Sequence, residues 1–66
     1  MRMKLKLFRI ARRLNQLDMA KRLGYKRAYY GHVERGIRNG SGDFWASLQF
    51  EFMLTDKEVE ELKQID

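Results

Sequence analysis

Asn15-Gln16-Leu17-Asp18-Met19-Ala20-Lys21-Arg22-Leu23-Gly24-Tyr25-Lys26-Arg27-Ala28-Tyr29-Tyr30-Gly31-His32-Val33-Glu34-Arg35-Gly36 is the stretch whose reading settles the fold. Met19, Ala20 and Leu23 fall at i, i+1 and i+4, which predicts a helix over 16–23. Gly24 follows as a left-handed helix stop. Tyr29/Tyr30 and Val33 turn inward on a second helix over 26–35, and Gly36 is its stop. Two helices of about eight residues joined by a tight glycine turn have the spacing of a helix-turn-helix, in which the second helix enters a major groove.

Upstream, Leu5 and Phe8 lie three apart, while Leu7, Ile10/Ala11 and Leu14 make a second stripe, giving a helix over 3–13 with an unusually broad apolar face. Downstream, 37–42 reads as a loop. A fourth helix over 43–52, capped by Asp43 or Ser41, carries Phe44/Trp45, Leu48 and Phe52 at helical spacing. The fifth has the sharpest start. Thr55-x-x-Glu58 is a capping box, and Leu54 and Val59 occupy the hydrophobic-staple positions around it. Val59, Leu62 and then Ile65 define its inward face. Proline is absent and β-branched residues are few, so the expectation is an all-α fold of five short helices.

Sixty-six residues make one small domain, 1–66, and 44% apolar residues are too many for a disordered chain. With no cysteine and a single histidine, neither disulfides nor zinc can staple it, so packing must. No apolar run reaches 18 residues and no signal peptide is present, which makes the cytoplasm the expected location. The net charge of +5 conceals a division. Residues 1–38 carry twelve Lys/Arg against two acids, a net +10, and residues 39–66 two Lys against seven acids, a net −5. A basic pole of this kind attracts a polyanion, nucleic acid first.

The run 15–36 resembles the helix-turn-helix of the phage repressor/Cro (XRE) family, whose pattern is T/N-Q-x-x-L-A-x-x-L-G-V-S-x-x-x-I-S-x-x-E-x-G. Asn15, Gln16, Ala20, Leu23, Gly24, Glu34 and Gly36 match, with Met19 and Tyr30 as apolar replacements. Leu5-x-x-Phe8-Arg9 is similar to the family's first-helix I-x-x-L-R, and Leu54-Thr55 before an acidic helix is similar to its fourth-to-fifth helix junction. The resemblance covers about residues 4–62 and implies a lambda-repressor-like DNA-binding domain with helices 2 and 3 as the helix-turn-helix.

It also implies roles for residues. Lys26, Arg27, Ala28 and His32 would face the bases. Arg27 can pair with O6 and N7 of guanine, and Ala28 can pack on a thymine methyl. Asn15, Gln16, Lys21, Arg35, Arg38 and Asn39 would hold phosphates. Tyr29 would donate to a phosphate or wedge against the core. Arg9 and Glu34 would form a partly buried ion pair tying helix 1 to the end of helix 3. Three positions depart from the pattern. Lys26 replaces a short capping residue at the turn, and Gly31 replaces a small polar residue inside helix 3. Leu7 and Ile10 are apolar where the family is often polar, so they pack on helix 5 or form part of a dimer seam.

The function expected is a sequence-specific double-stranded DNA-binding regulator, a Cro/C1-type, phage-like repressor. It would bind a palindromic operator as a homodimer, with the seam at the loop before helix 4 and at helices 4–5, where Phe44, Trp45, Phe50 and Phe52 exceed what a tiny core needs. The alternative is an antitoxin-like or other small interaction module that meets a protein partner through helices 4–5, using the acidic stretch 56–66. No cofactor, metal or enzymatic activity is expected, because Ser41 and Ser47 have no matching triad and the carboxylates sit on an exposed helix. Segment 2–14 is basic and amphipathic, as membrane-surface helices are, but the family pattern assigns Leu5 and Phe8 to the core.

Overall fold

A computed structural model describes all residues, 1–66. It has five helices and no strand: α1 (Met3–Ala11), α2 (Gln16–Leu23), α3 (Arg27–Glu34), α4 (Gly42–Phe52) and α5 (Asp56–Lys63). The core is eleven side chains drawn from all five: Leu5, Met19, Ala20, Leu23, Tyr30, Val33, Phe44, Trp45, Leu48, Val59 and Leu62. Phe44 is its hub. The rings of Tyr25, Tyr29, Tyr30 and Trp45 surround it with centroids 5.4, 5.8, 6.1 and 5.0 Å away. Since Tyr29 and Tyr30 belong to α3, this cluster seats that helix on α4 (edge-on aromatic pairs add about 0.5–1.5 kcal/mol each beyond their burial).

Helix starts follow local side-chain chemistry. Asn15 caps α2 by accepting from the Asp18 N–H at 2.7 Å, and the Asp18 carboxylate accepts the Asn15 N–H in return. Ser41, not Asp43, caps α4, its Oγ accepting from the Phe44 N–H at 3.0 Å. The Thr55–Glu58 capping box on α5 forms as expected.

Helix ends are more uniform than the glycines suggest. Four helices close with a left-handed residue, the next N–H reaching back five positions: Leu14 to Arg9 O, Tyr25 to Ala20 O, Ile37 to His32 O and Leu54 to Gln49 O. At α2 and α3 the left-handed residues are Gly24 and Gly36. At α1 and α4 they are Arg13 (φ 58°) and Met53 (φ 55°). This is why α1 stops at Ala11 rather than running to residue 13.

Several expected contacts are corrected by the packing. Leu7 and Ile10 do not pack on α5; they are 57% and 48% exposed on the side of α1 away from the core. Ile65 is also exposed. Phe44 and Trp45 are buried, so neither is available to an outer seam. Phe52 is half-buried, edge-on to Phe8 at 5.1 Å.

Candidate nucleic-acid interface

α3 is held from beneath by one buried network. Arg9 Nε donates to Glu34 Oε2 at 2.8 Å and Arg9 Nη2 to Glu34 Oε1 at 3.0 Å, a two-pronged pair between α1 and the last turn of α3. Arg9 Nη1 donates to the Leu14 carbonyl at 2.8 Å, and Gln16 Nε2 donates to Glu34 Oε1 at 3.2 Å. The network thus locks α1, the first turn of α2 and the end of α3 into one geometry. Burial alone would raise the Glu34 pKa, but hydrogen bonds from Arg9 and Gln16 outweigh it and hold the carboxyl below its ordinary range. The hydrogen bonds that Arg9 itself makes to Glu34 raise the Arg9 pKa. The Tyr30 hydroxyl is buried with no hydrogen-bond partner; burial first, then the neighbouring carboxylate, push its pKa up.

Gly31 is buried in this region, and a Cβ there would lie 3.2 Å from Gln16 Oε1. That close approach accounts for a glycine inside α3 at a cost of about 1 kcal/mol in helix propensity.

The outer surface of α3 carries the expected reading residues. Lys26, Arg27 and Ala28 are exposed at its start, and His32, half-buried, lies one turn beyond Ala28. Lys26 has extended backbone (ψ 149°) and makes no side-chain capping bond, so the first N–H groups of α3 are left to other acceptors. A shallow cleft lined by Arg9, Asn15, Gln16, Leu17 and Arg27 runs between the starts of α2 and α3.

The remaining expected positions frame this surface. Lys21 is exposed one turn beyond Leu17 on the outer side of α2. Tyr29 is half-buried. Its hydroxyl oxygen accepts from the Ser41 N–H at 3.0 Å, while its own O–H stays free to donate. Arg35 folds back along α3, its Nε donating to Gly31 O at 3.3 Å. Arg38 is exposed, with its guanidinium 5.9 Å above the Tyr29 ring, and Asn39 is exposed beside it. Asn15 spends its side-chain oxygen as the α2 cap, and Gln16 spends an amide N–H on Glu34.

Two groups of basic residues lie elsewhere. Arg12 stacks 3.5 Å over the Phe8 ring, and Arg22 approaches Glu51 at 3.7 Å, both on the side of Phe52. Arg2 is buried. Its guanidinium donates to the carbonyls of Val33 (2.7 Å), Lys63 (2.8 Å), Arg38 (2.8 Å) and Asn39 (3.3 Å), and lies 5.4 Å from the Trp45 ring. Two of those carbonyls end α3 and α5, where the helix dipoles favour a cation. Burial lowers the Arg2 pKa. Arg2 therefore belongs to the framework and not to the basic surface. It pins the loop after α3 to both chain ends. Sequence reading gave no role to Arg2 or to Leu17.

With Arg2, Arg9 and Glu34 buried, residues 1–38 still place ten Lys/Arg against one acid, Asp18, outside the core. The family model for helix-turn-helix proteins matches residues 5–45, well over half the chain, and covers α2, α3 and the Arg9–Glu34–Gln16 network. The chain belongs to the Cro/C1-type helix-turn-helix family. No curated protein and no solved structure matches it. As a Cro/C1-type protein it is a DNA-binding helix-turn-helix regulator, with α2 and α3 as the motif. The matched segment ends at residue 45, so α5 and most of α4 lie outside it. No helix is long and apolar enough to cross a membrane.

Proposed function

We propose that this regulator is a repressor that reads a two-fold-related operator as a dimer, with α3 in the major groove. Lys26, Arg27, Ala28 and His32 make the base contacts. Asn15, Gln16, Lys21, Tyr29, Arg35, Arg38 and Asn39 hold the flanking phosphates. The observation that carries this reading is the exposed Lys26–Arg27–Ala28 start of α3, fixed by the buried Arg9–Glu34–Gln16 network. An exposed guanidinium at the start of a rigid helix can reach O6 and N7 of guanine with two parallel bonds. Phosphate contacts set register and supply most of the salt-dependent affinity.

The dimer seam falls at the end of α4. Phe50 and Met53 are 86% and 90% exposed there, and they remain once Phe44 and Trp45 are assigned to the core. One domain reads only a few base pairs, and two recognition helices about 34 Å apart meet successive major grooves on one DNA face. Repression follows from occupancy of a promoter. The role is binding, not catalysis: Ser41 Oγ caps α4, and Ser47 Oγ donates to the Leu23 carbonyl. The protein works where the DNA is, in the cytoplasm of a bacterial or phage-infected cell.

Selection of bound sites from random duplex DNA tests this directly. An enriched inverted repeat with half-site centres about one helical turn apart supports reader, dimer and spacing together. A pool with no enriched motif, from protein that binds another protein through the acids of α5, would replace this reading with an interaction module.

A further inference from the structure

α1 has two apolar faces, and the fold uses only one. Leu5 and Arg9 are buried and Phe8 packs on Phe52. On the opposite side, Met3, Leu7 and Ile10 lie within one narrow stripe at i, i+4 and i+7, 39%, 57% and 48% exposed. Lys4, Lys6 and Arg13 flank them, and α1 contains no acidic residue. None of these three cations pairs with a carboxylate.

We propose that this stripe is a docking surface for an acidic amphipathic helix of a partner protein, with Met3, Leu7 and Ile10 as the apolar anchors and Lys4, Lys6 and Arg13 as the charged rim. The charge decides the occupant. A second copy's α1 would set each rim cation against its own kind, which opposes pairing. A second copy's α5 has exposed acids, but its Val59 and Leu62 are buried, so it offers charge without an apolar face. A lipid surface needs an apolar face sunk about 5–10 Å among acyl chains. Here the one aromatic side chain of α1, Phe8, is turned inward, and the stripe is three partly covered side chains on a fixed nine-residue helix. A helix with apolar residues at i, i+3/i+4 and i+7 and glutamates beside them complements both parts of the surface. None of these residues belongs to the proposed base contacts.

The test is titration of isotope-labelled protein, followed by amide chemical shifts, with a synthetic Leu/Glu amphipathic peptide of about 14 residues, long enough to form helix once seated. Its Leu/Lys counterpart and anionic phosphatidylglycerol vesicles serve as the other arms. The Leu/Glu peptide is expected to shift Met3, Lys6, Leu7 and Ile10. Leu7→Glu is expected to weaken it at least about tenfold, with an unchanged melting curve. Lys4→Glu/Lys6→Glu is expected to weaken the Leu/Glu peptide and strengthen the Leu/Lys one. Equal binding of the two peptides, shifts at Phe50 and Met53 instead of α1, or no shift on α1 at all would overturn the proposal. Vesicle binding abolished by Leu7→Glu would assign the stripe to lipid and overturn it as well.

Discussion

Glu34→Ala removes the carboxylate on which three helices converge. The Glu34 side chain is 1% exposed and the Arg9 side chain 10%. The substitution leaves the Arg9 guanidinium with one acceptor, the Leu14 carbonyl, and leaves the Gln16 amide with none. Breaking a buried pair from one side costs about 3–5 kcal/mol. A domain of this size has a total stability of about 3–10 kcal/mol, so the variant is expected to lose from about a third to all of its stability at room temperature. Replacing both partners, Arg9→Met with Glu34→Leu, strands no charge and is expected to cost less than either single change. Urea unfolding followed by Trp45 fluorescence gives all four corners of the cycle. The pH dependence has a definite sign. The folded pKa of Glu34 is depressed, because hydrogen bonds from Arg9 and Gln16 overcome the effect of burial. Its contribution is therefore full above the unfolded pKa and is lost as pH falls through the folded value. Wild type is expected to lose stability in that acid window, and Glu34→Gln to lack this component. A Glu34→Ala loss below about 1 kcal/mol, or a double variant no better than the singles, would refute the claim that this pair ties α1 to α3.

Three further outcomes follow from the framework. Arg2→Ala removes a donor from four backbone carbonyls, of which Val33 keeps the Gly36 N–H and Asn39 the Trp45 Nε1–H, and is expected to cost about 3 kcal/mol in urea unfolding, which ordinary surface arginines do not. Met53→Gly relieves a left-handed residue whose side chain packs on nothing and is expected to raise stability by about 0.5–1 kcal/mol, seen as a higher Tm. It also removes half of the proposed seam, so sedimentation should show weaker self-association. Gly40→Ala puts a Cβ 2.7 Å from Trp45 Nε1 at a φ of +79°, and a loss of at least about 2 kcal/mol is expected in thermal melts.

The parts of the fold governed by neighbouring residues were legible in the sequence. Gly24 and Gly36 marked two helix ends, Thr55-x-x-Glu58 marked a start, and the family pattern placed Arg9 against Glu34. What stayed hidden depends on conformations or partners that no residue type announces. Arg13 and Met53 end helices in the left-handed conformation without being glycine, so α1 was read two residues too long. The partners of Arg2 are carbonyls 31 to 61 positions away, which leave no mark at residue 2. Asn15-x-x-Asp18 is a cap signal readable from residue types alone, and the structure forms it. Phe44 and Trp45 were given to a dimer seam, but with three tyrosines arranged about Phe44 and Trp45 edge-on to it, a small core uses both. Leu7 and Ile10 are apolar by type, and only the packed structure places them opposite the core.

The central claim is that α3 reads bases while its surroundings hold phosphates. The measurement that tests it most directly is the affinity of wild type, Arg27→Ala and Arg38→Ala for a selected site and for a scrambled duplex, by fluorescence anisotropy across a salt series. Arg27→Ala is expected to lose about 1–3 kcal/mol on the selected site and little on the scrambled one. Arg38→Ala is expected to weaken both duplexes alike and to reduce the slope of log K against log salt by about 1. If Arg27→Ala weakens both duplexes equally, α3 does not read sequence through that residue and the account is contradicted.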